Sequence, residues 1–314
     1  MRPLRFCQPT TKGKRVKIHK LAGIDIGSNS VRLLVANVMR QEEKVNFKKS
    51  SLTRLPIRLG IDAFEKGKIT KENQKRLLWG MQAYQNIMAV HGVERYRACA
   101  TSALREADNG WQVAENIYRE TGINIELISG KEEARMIFSP DFVDTLSGRA
   151  EHFFYIDVGG GSTELTLFSN GQIAASHSFK IGTIRLMTDK VKEKHWEAMR
   201  QWIKEVTGNL PRPPLMVGSG GNINRAFKLA EKKKGETMSY KLLAEMRAEL
   251  KQFDYEERIL RFDLNPDRSD VILPALKIYL SAMKWARAEE MMVPKKGLAD
   301  GIVRNLYREH FYAL

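Results

Sequence analysis

Hydrophobic positions in this chain fall first into strand-length runs separated by glycine turns, then into stretches where they recur every three or four residues. Leu21 to Ile26 reads as a buried strand, Gly27 to Ser30 as a turn, and Val31 to Val38 as the hairpin partner. A third strand around Val45 to Leu52 completes a meander. From Thr70 to His91 the period changes: Leu77, Leu78, Met81, Tyr84, Ile87 and Met88 stand at helical spacing, which predicts an amphipathic helix. A strand at Tyr96 to Ala100, a helix through Trp111, Val113, Ile117 and Tyr118 that stops at Gly122, and a short strand at Ile125 to Ile128 follow. Ser129 and Glu132 have capping-box spacing, so a helix is predicted from near Gly130 through Phe138 toward Pro140.

The plan then repeats. Strands are predicted at Phe153 to Asp157, Glu164 to Ser169, Gln172 to Phe179 and Leu215 to Val217. The turn Gly218 to Asn222 leads into a helix through Ile223, Phe227 and Leu229. The remainder is mainly helical, apart from a strand at Glu290 to Val293, and a last helix follows Gly297. Within this plan one phrase occurs twice. Ile24-Asp25-Ile26-Gly27-Ser28-Asn29-Ser30-Val31-Arg32 returns as Ile156-Asp157-Val158-Gly159-Gly160-Gly161-Ser162-Thr163-Glu164. Each copy ends a strand in a carboxylate, turns through glycine and small polar residues, and re-enters a strand, which is the form of a phosphate-binding hairpin. Two such hairpins leading two meanders predict an α/β, duplicated actin-like (ribonuclease H-like) ATPase fold with an anionic ligand between the halves. The expected division is a basic arm at 1–19, one domain at 20–129 and a second at 130–297.

Composition narrows the class of ligand. With 43% hydrophobic and 28% charged residues the chain has the make-up of a soluble globular protein. No apolar run approaches the ~18 residues of a spanning helix, so no membrane partner is expected and the location expected is cytoplasmic. Cys7 and Cys99 belong to no CxxC or metal-ligand pattern, which argues against a disulfide framework or structural zinc. Cys99 reads as a buried thiol, and the scattered histidines offer no HxH or HxxxH pair. The excess of 52 Lys+Arg over 37 Asp+Glu, net +15, favours a polyanionic partner. Arg2, Arg5, Lys12, Lys14, Arg15, Lys17 and Lys20 contribute to it without one acidic neighbour.

Three loops suit an anion. Gly159, Gly160 and Gly161 let backbone N–H groups approach closely, and Ser162 and Thr163 add hydroxyls. Gly27, Ser28, Asn29 and Ser30 form the matching turn. Gly218, Ser219, Gly220, Gly221 and Asn222 make a third nest at a helix start, a weak signal on its own. Asp157 and Asp25 would sit beside bound phosphate, and an anion beside an anion calls for Mg²⁺ (or Mn²⁺) between them. Glu164 is balanced between that cleft and an ordinary exposed strand position. Glu132 has a capping job. Glu133 is free to take a proton from water, although spacing alone favours a solvated helix-start glutamate. Arg105, at a strand-to-helix junction, suits phosphate with its planar fork; Arg32 and Arg185 are lesser candidates.

Taken together these segments resemble the exopolyphosphatase and guanosine pentaphosphate phosphohydrolase (Ppx/GppA) family, in a short two-domain form. The likeness runs from about Lys20 onward. It rests on Asp25 to Ser30, Ala100 to Arg105, Ser129 to Arg135, Asp157 to Glu164, the Gly218 loop and Gly297-Leu298-Ala299-Asp300-Gly301. The resemblance implies hydrolysis of a terminal phosphoryl group from linked phosphates with Mg²⁺ in the cleft. It also implies Glu133 as catalytic base, Asp157 and Glu164 as metal carboxylates, Arg105 as substrate arginine, and residues 298–314 packing back on the first domain. Three departures stand out: no helical C-terminal region follows Leu314, Asn222 replaces a frequent hydroxyl residue, and the basic arm lies outside the family pattern. The expected substrate is inorganic polyphosphate, with guanosine pentaphosphate the alternative. A phosphotransferase of the same fold and a non-catalytic polyphosphate or nucleic-acid binder are further alternatives, nucleic acid being the less favoured partner. A homodimer is expected by analogy only.

Overall fold

The computed structural model describes residues 17–41, 44–137, 149–294 and 296–311. Its strands are β1 (Ile18–Ile26), β2 (Val31–Gln41), β3 (Lys44–Leu55), β4 (Arg95–Ala100) and β5 (Ile125–Leu127) in the first half. The second half has β6 (His152–Val158), β7 (Thr163–Ser169), β8 (Gln172–Phe179), β9 (Leu215–Ser219), β10 (Thr237–Ser239) and β11 (Glu290–Met292). Two sheets result, ordered β3-β2-β1-β4-β5 and β10-β11-β9-β6-β7-β8. In each sheet an antiparallel meander is led by its first strand, which also pairs in parallel with the strand after a helical crossover: β1 with β4, β6 with β9. This is the duplicated α/β actin-like fold.

Strand periodicity sorts side chains into cores. On β1, Ala22, Ile24 and Ile26 join Leu77, Met81 and Tyr84 of the helix Lys71–His91 under the first sheet. On β6, Phe154, Ile156 and Val158 join Phe227, Leu276 and Tyr279 under the second sheet. The opposite faces do something different. Leu21, Leu34, Phe153, Tyr155 and Phe168 share a third cluster with Met136 and Ile137 of the helix Gly130–Ile137, and with Ile302, Leu306 and Tyr307 of the helix Leu298–Phe311. The two sheets are therefore bridged by two helices. The last helix comes so close to β1 that a Cβ on Gly23 would stand 2.7 Å from the Ala299 carbonyl oxygen.

Some boundaries differ from the pattern-based expectation. Ile18 and His19, read as part of the arm, already belong to β1; His19 is buried, 3.9 Å ring to ring from Phe311 and 2.9 Å from Glu94. Residues 1–16 lie outside the described residues, as do Phe138 to Pro140, toward which the helix starting near Gly130 was expected to run. β3 continues past Leu52 to Leu55 because its partner β2 continues opposite it. A helix at Leu59–Lys66 escaped notice: its cap residue Arg58 makes no side-chain cap bond, and the run is short. Among the described residues no helix is long and apolar enough to cross a membrane.

Candidate active site

The faces that feed the third core carry acids where they reach the strand ends. Alternation places Asp25 on the same side of β1 as Leu21, Asp157 beside Tyr155, and Glu164 beside Phe168. Each hairpin is closed by the same bond: Gly27 N–H donates to the Ser30 carbonyl (3.1 Å) and Gly159 N–H to the Ser162 carbonyl (2.9 Å). The turns meet. A Cβ on Gly160 would stand 2.8 Å from Ser28 Cβ, and the Ser28 and Ser102 hydroxyls are 3.0 Å apart. Beside them lies a cleft of about 300 Å³, lined by Gly27, Ser28, Asn29, Ser30, Gly159, Gly160, Ser162, Ser219, Gly220, Gly221 and Asn222. Asp25, Glu133, Asp157 and Glu164 face into it, as do Arg32, Lys49, Arg54, Arg268 and Lys296.

Burial dominates the acids. It raises Asp157 to about 6, against bonds from the Ser219 hydroxyl (3.2 Å) and the pull of Arg32; Tyr155 donates at 3.4 Å. Glu164 rises to about 7, again through burial, although it accepts bonds from the Ser162 hydroxyl and, at 3.0 Å, the Ser178 hydroxyl. Glu133 is pushed well above the usual carboxylate range, first by burial and then by the charges of Glu164, Asp157 and Asp25; Arg105 opposes this. Asp25 is also raised by burial, but the Arg32 guanidinium, 2.9 Å away, pulls it down. Among the described residues, Asp25 is ion-paired directly with Arg32, whereas Glu133, Asp157 and Glu164 face the cleft without a direct ion pair, the cations of its wall standing farther off.

Several residues singled out from sequence sit elsewhere or, within the cleft, are engaged by other side chains. The Thr163 hydroxyl is buried and donates to the Ile181 carbonyl (2.6 Å), so it does not reach the cleft. On the side a Cβ would occupy, Gly161 backs onto the Phe64 ring and Ser102, and Gly218 onto Met291 and Ile223, so each is required by packing there. Arg105 spends its guanidinium on the Ile128 carbonyl (2.5 Å) and is absent from the cleft lining, acting on Glu133 and Glu164 through its charge. Arg185 bonds the Gly161 carbonyl (2.6 Å) and Glu106 rather than facing the cleft. Asn222 accepts from Arg268 (3.2 Å). Asp25, expected as a metal ligand, has its Oδ2 engaged by Arg32.

Sequence reading missed most of the basic wall. Arg54 shares a β3 face with Leu52, and the extra residue Ser50 at the β2–β3 register shift brings Lys49 back to that face. Parity could have flagged Arg54, whereas the shift hides Lys49. Arg268 lies in the four-residue helix Pro266–Ser269, which has no periodic signal. Burial lowers it to about 9, with Arg54 and Arg32 adding repulsion. Among the described residues no three His, Cys, Asp or Glu side chains converge as a ready-made metal cage. Asp157 and Glu164 are directly paired across β6–β7, so they offer two oxygen ligands, and with the Glu133 carboxylate close enough to feel both charges they fit a cation. That donor set suits Mg²⁺ or Mn²⁺, which complete their shells with water and phosphate oxygens.

A duplicated actin-like fold with glycine hairpins meeting beside an acid-lined cleft defines the broad class. The sequence pattern of the Ppx/GppA phosphatase family matches residues 37–310, and the chain belongs to that family. Exopolyphosphatase 1 of Mycobacterium tuberculosis is 27% identical over 209 residues, 65% of this chain and 58% of that protein. The bifunctional 3-dehydroquinate synthase/phosphatase of Fusobacterium nucleatum is 32% identical over 195 residues, 59% of this chain and 29% of that protein. The guanosine-5′-triphosphate,3′-diphosphate pyrophosphatase of Aliivibrio fischeri is 24% identical over 301 residues, 92% of this chain and 59% of that protein. This chain therefore spans 29% to 59% of the length of these relatives. The Ppx/GppA family member of Aquifex aeolicus superposes with a TM-score of 0.73 at 25% identity, over 94% of this chain and 99% of that one. An exopolyphosphatase from Cytophaga hutchinsonii shares the fold, with a TM-score of 0.78 at 22% identity over 93% of this chain and 98% of that one.

Proposed function

We propose that the chain hydrolyses the terminal phosphoanhydride of inorganic polyphosphate, releasing orthophosphate. The observation that carries this reading is the position of Glu133: a carboxylate in the cleft beside the Asp157–Glu164 pair, its proton affinity raised by burial and by those neighbours, next to two glycine hairpins that line the same cleft. Glu133 takes a proton from water, the water oxygen bonds to the terminal phosphorus in line, and the bridging P–O bond breaks toward the remaining chain. A carboxylate whose proton affinity is raised above the ordinary value suits that step better than an unperturbed one. The Gly159–Ser162 turn and the basic residues Arg32 and Arg268 take up charge on the phosphoryl oxygens. Asp157 and Glu164 would hold a divalent cation, which would supply charge neutralisation on the phosphate oxygens. Arg105 holds down the proton affinity of Glu133 and Glu164 from behind.

A second reading, removal of the 5′-terminal phosphate of guanosine pentaphosphate, draws on the Aliivibrio relative that aligns with 92% of this chain. Phosphate release from polyphosphates of graded length and from the nucleotide, with Mg²⁺ or with chelator, tests both. Release from polyphosphate that needs a divalent ion supports the first reading. Turnover of the nucleotide alone supports the second, and release from neither substrate overturns both. We place the protein in the cytoplasm and allow inorganic polyphosphate, rather than nucleic acid, as its partner.

A further inference from the structure

The Gly159–Ser162 turn is aimed by what holds its carbonyls. Thr183 N–H donates to the Gly159 carbonyl (3.0 Å), Ile184 N–H to that of Gly160 (2.9 Å), and Arg185 Nε to that of Gly161 (2.6 Å). In a planar trans peptide the C=O and the following N–H point in opposite directions. Three carbonyls drawn to the Thr183–Met187 helix therefore turn the N–H groups of Gly160, Gly161 and Ser162 away from it, toward the cleft that Gly160 and Ser162 line. Gly182 permits the contact, because a Cβ there would land on the Gly160 peptide. The first two anchors are backbone groups. The third is a side chain, and it is held from the other domain.

Arg185 is nearly buried, its side chain 11% exposed. Its Nη2 pairs with Glu106, at the end of the helix Ser102–Glu106 that follows β4, and its guanidinium lies 4.0 Å from the centre of the Phe64 ring in the helix Leu59–Lys66. Both partners belong to the first domain, while Gly161 belongs to the second. We propose that Arg185 is a positioning residue: seated on Glu106 and Phe64 of one domain, it fixes the Gly161 peptide of the other, so the anion-binding turn is correctly aimed only when the domains are docked. This rests on the reading of the turn as a phosphate site.

The test compares Arg185→Gln, Arg185→Lys, Glu106→Gln and the double variant Arg185→Gln/Glu106→Gln, with inorganic tripolyphosphate as probe. Lysine keeps the charge but its single head cannot span the Gly161 carbonyl and Glu106 together. Expected is a KM raised about 10- to 100-fold in Arg185→Gln, the share of a charged hydrogen bond. Glu106→Gln should shift KM in the same direction by less, and the double variant should be no worse than Arg185→Gln alone. Wild-type KM in folded Arg185→Gln, or fully additive losses, overturns the proposal. Amide exchange at Gly160 to Ser162 is read in parallel, without substrate. Faster exchange there in Glu106→Gln supports the clamp even if the wild-type chain binds no tripolyphosphate, an outcome that would sink the phosphate reading instead. Unchanged exchange in both Arg185→Gln and Glu106→Gln overturns the clamp.

Discussion

In the first hairpin Asp25 stands opposite Arg32, and in the second the same register sets Asp157 opposite Glu164. The neighbouring parallel strands diverge at the matching place as well: Asp25 lies beside Cys99, whose thiol burial pushes up to about 12, while Asp157 lies beside Ser219, which donates to it. The backbone bond that closes each turn is the same, yet one half ion-pairs its own carboxylate, while the other sets two carboxylates side by side with no direct ion pair among the described residues. Duplication has kept the grip and divided the electrostatic labour. The first hairpin carries a carboxylate paired to an arginine; the second carries the Asp157–Glu164 pair, which in the proposed reading holds an ion beside the base Glu133.

Breaking the acidic half should have the largest effect. Glu133→Gln is expected to lower turnover by roughly 10²–10⁴-fold in a phosphate-release assay while leaving divalent-ion binding in place. Glu164→Arg copies the first hairpin's pairing into the second; the expected result is loss of Mg²⁺ stimulation and a fall in turnover of at least about 100-fold. Next in size is a pH effect. Folding raises Asp157 from 3.8 to about 6 and Glu164 from 4.5 to about 7, so between those values the native chain binds more protons than the unfolded one. Stability without divalent ions must then fall as pH rises through this window and stay low above about 7, and Mg²⁺ should restore it at pH 8. Urea melts at pH 5 and pH 8 check this, with Glu164→Gln flattening the slope.

On the basic side the effects should be smaller. Arg32→Gln strips the buried Asp25 of its partner and should cost about 1–3 kcal/mol in denaturant unfolding, with Asp25→Asn in the same chain recovering part of it. Thr163→Val is the mildest case. Its hydroxyl bonds the Ile181 carbonyl, so stability should drop by about 1 kcal/mol with KM unchanged; a raised KM would return Thr163 to the phosphate site.

What the sequence revealed was local pattern. The repeated phrase, strand alternation and the capping box at Ser129 each depend on residues within a few positions of one another. The cap is present, with Ser129 N–H donating to Glu132 at 2.8 Å and Glu132 N–H to Ser129 at 3.2 Å. What it hid was tertiary. Arg268 reaches Asn222 across 46 positions, and Arg185 reaches Glu106 across 79; neither local spacing nor composition encodes such a meeting. Thr163 and Gly161 sit in a glycine turn that reads uniformly as anion-binding, yet each has a side facing the interior, which only packing decides. Arg105 was legible as a charge near the site, but the Ile128 carbonyl that captures its guanidinium was not.

The most direct test is Mn²⁺ titration by calorimetry into Asp157→Asn and Asp25→Asn beside the wild-type chain. The division of labour between the hairpins predicts that Asp157→Asn weakens Mn²⁺ affinity at least about tenfold while Asp25→Asn stays within about twofold of wild type. Equal losses in both variants, or a loss confined to Asp25→Asn, would contradict it.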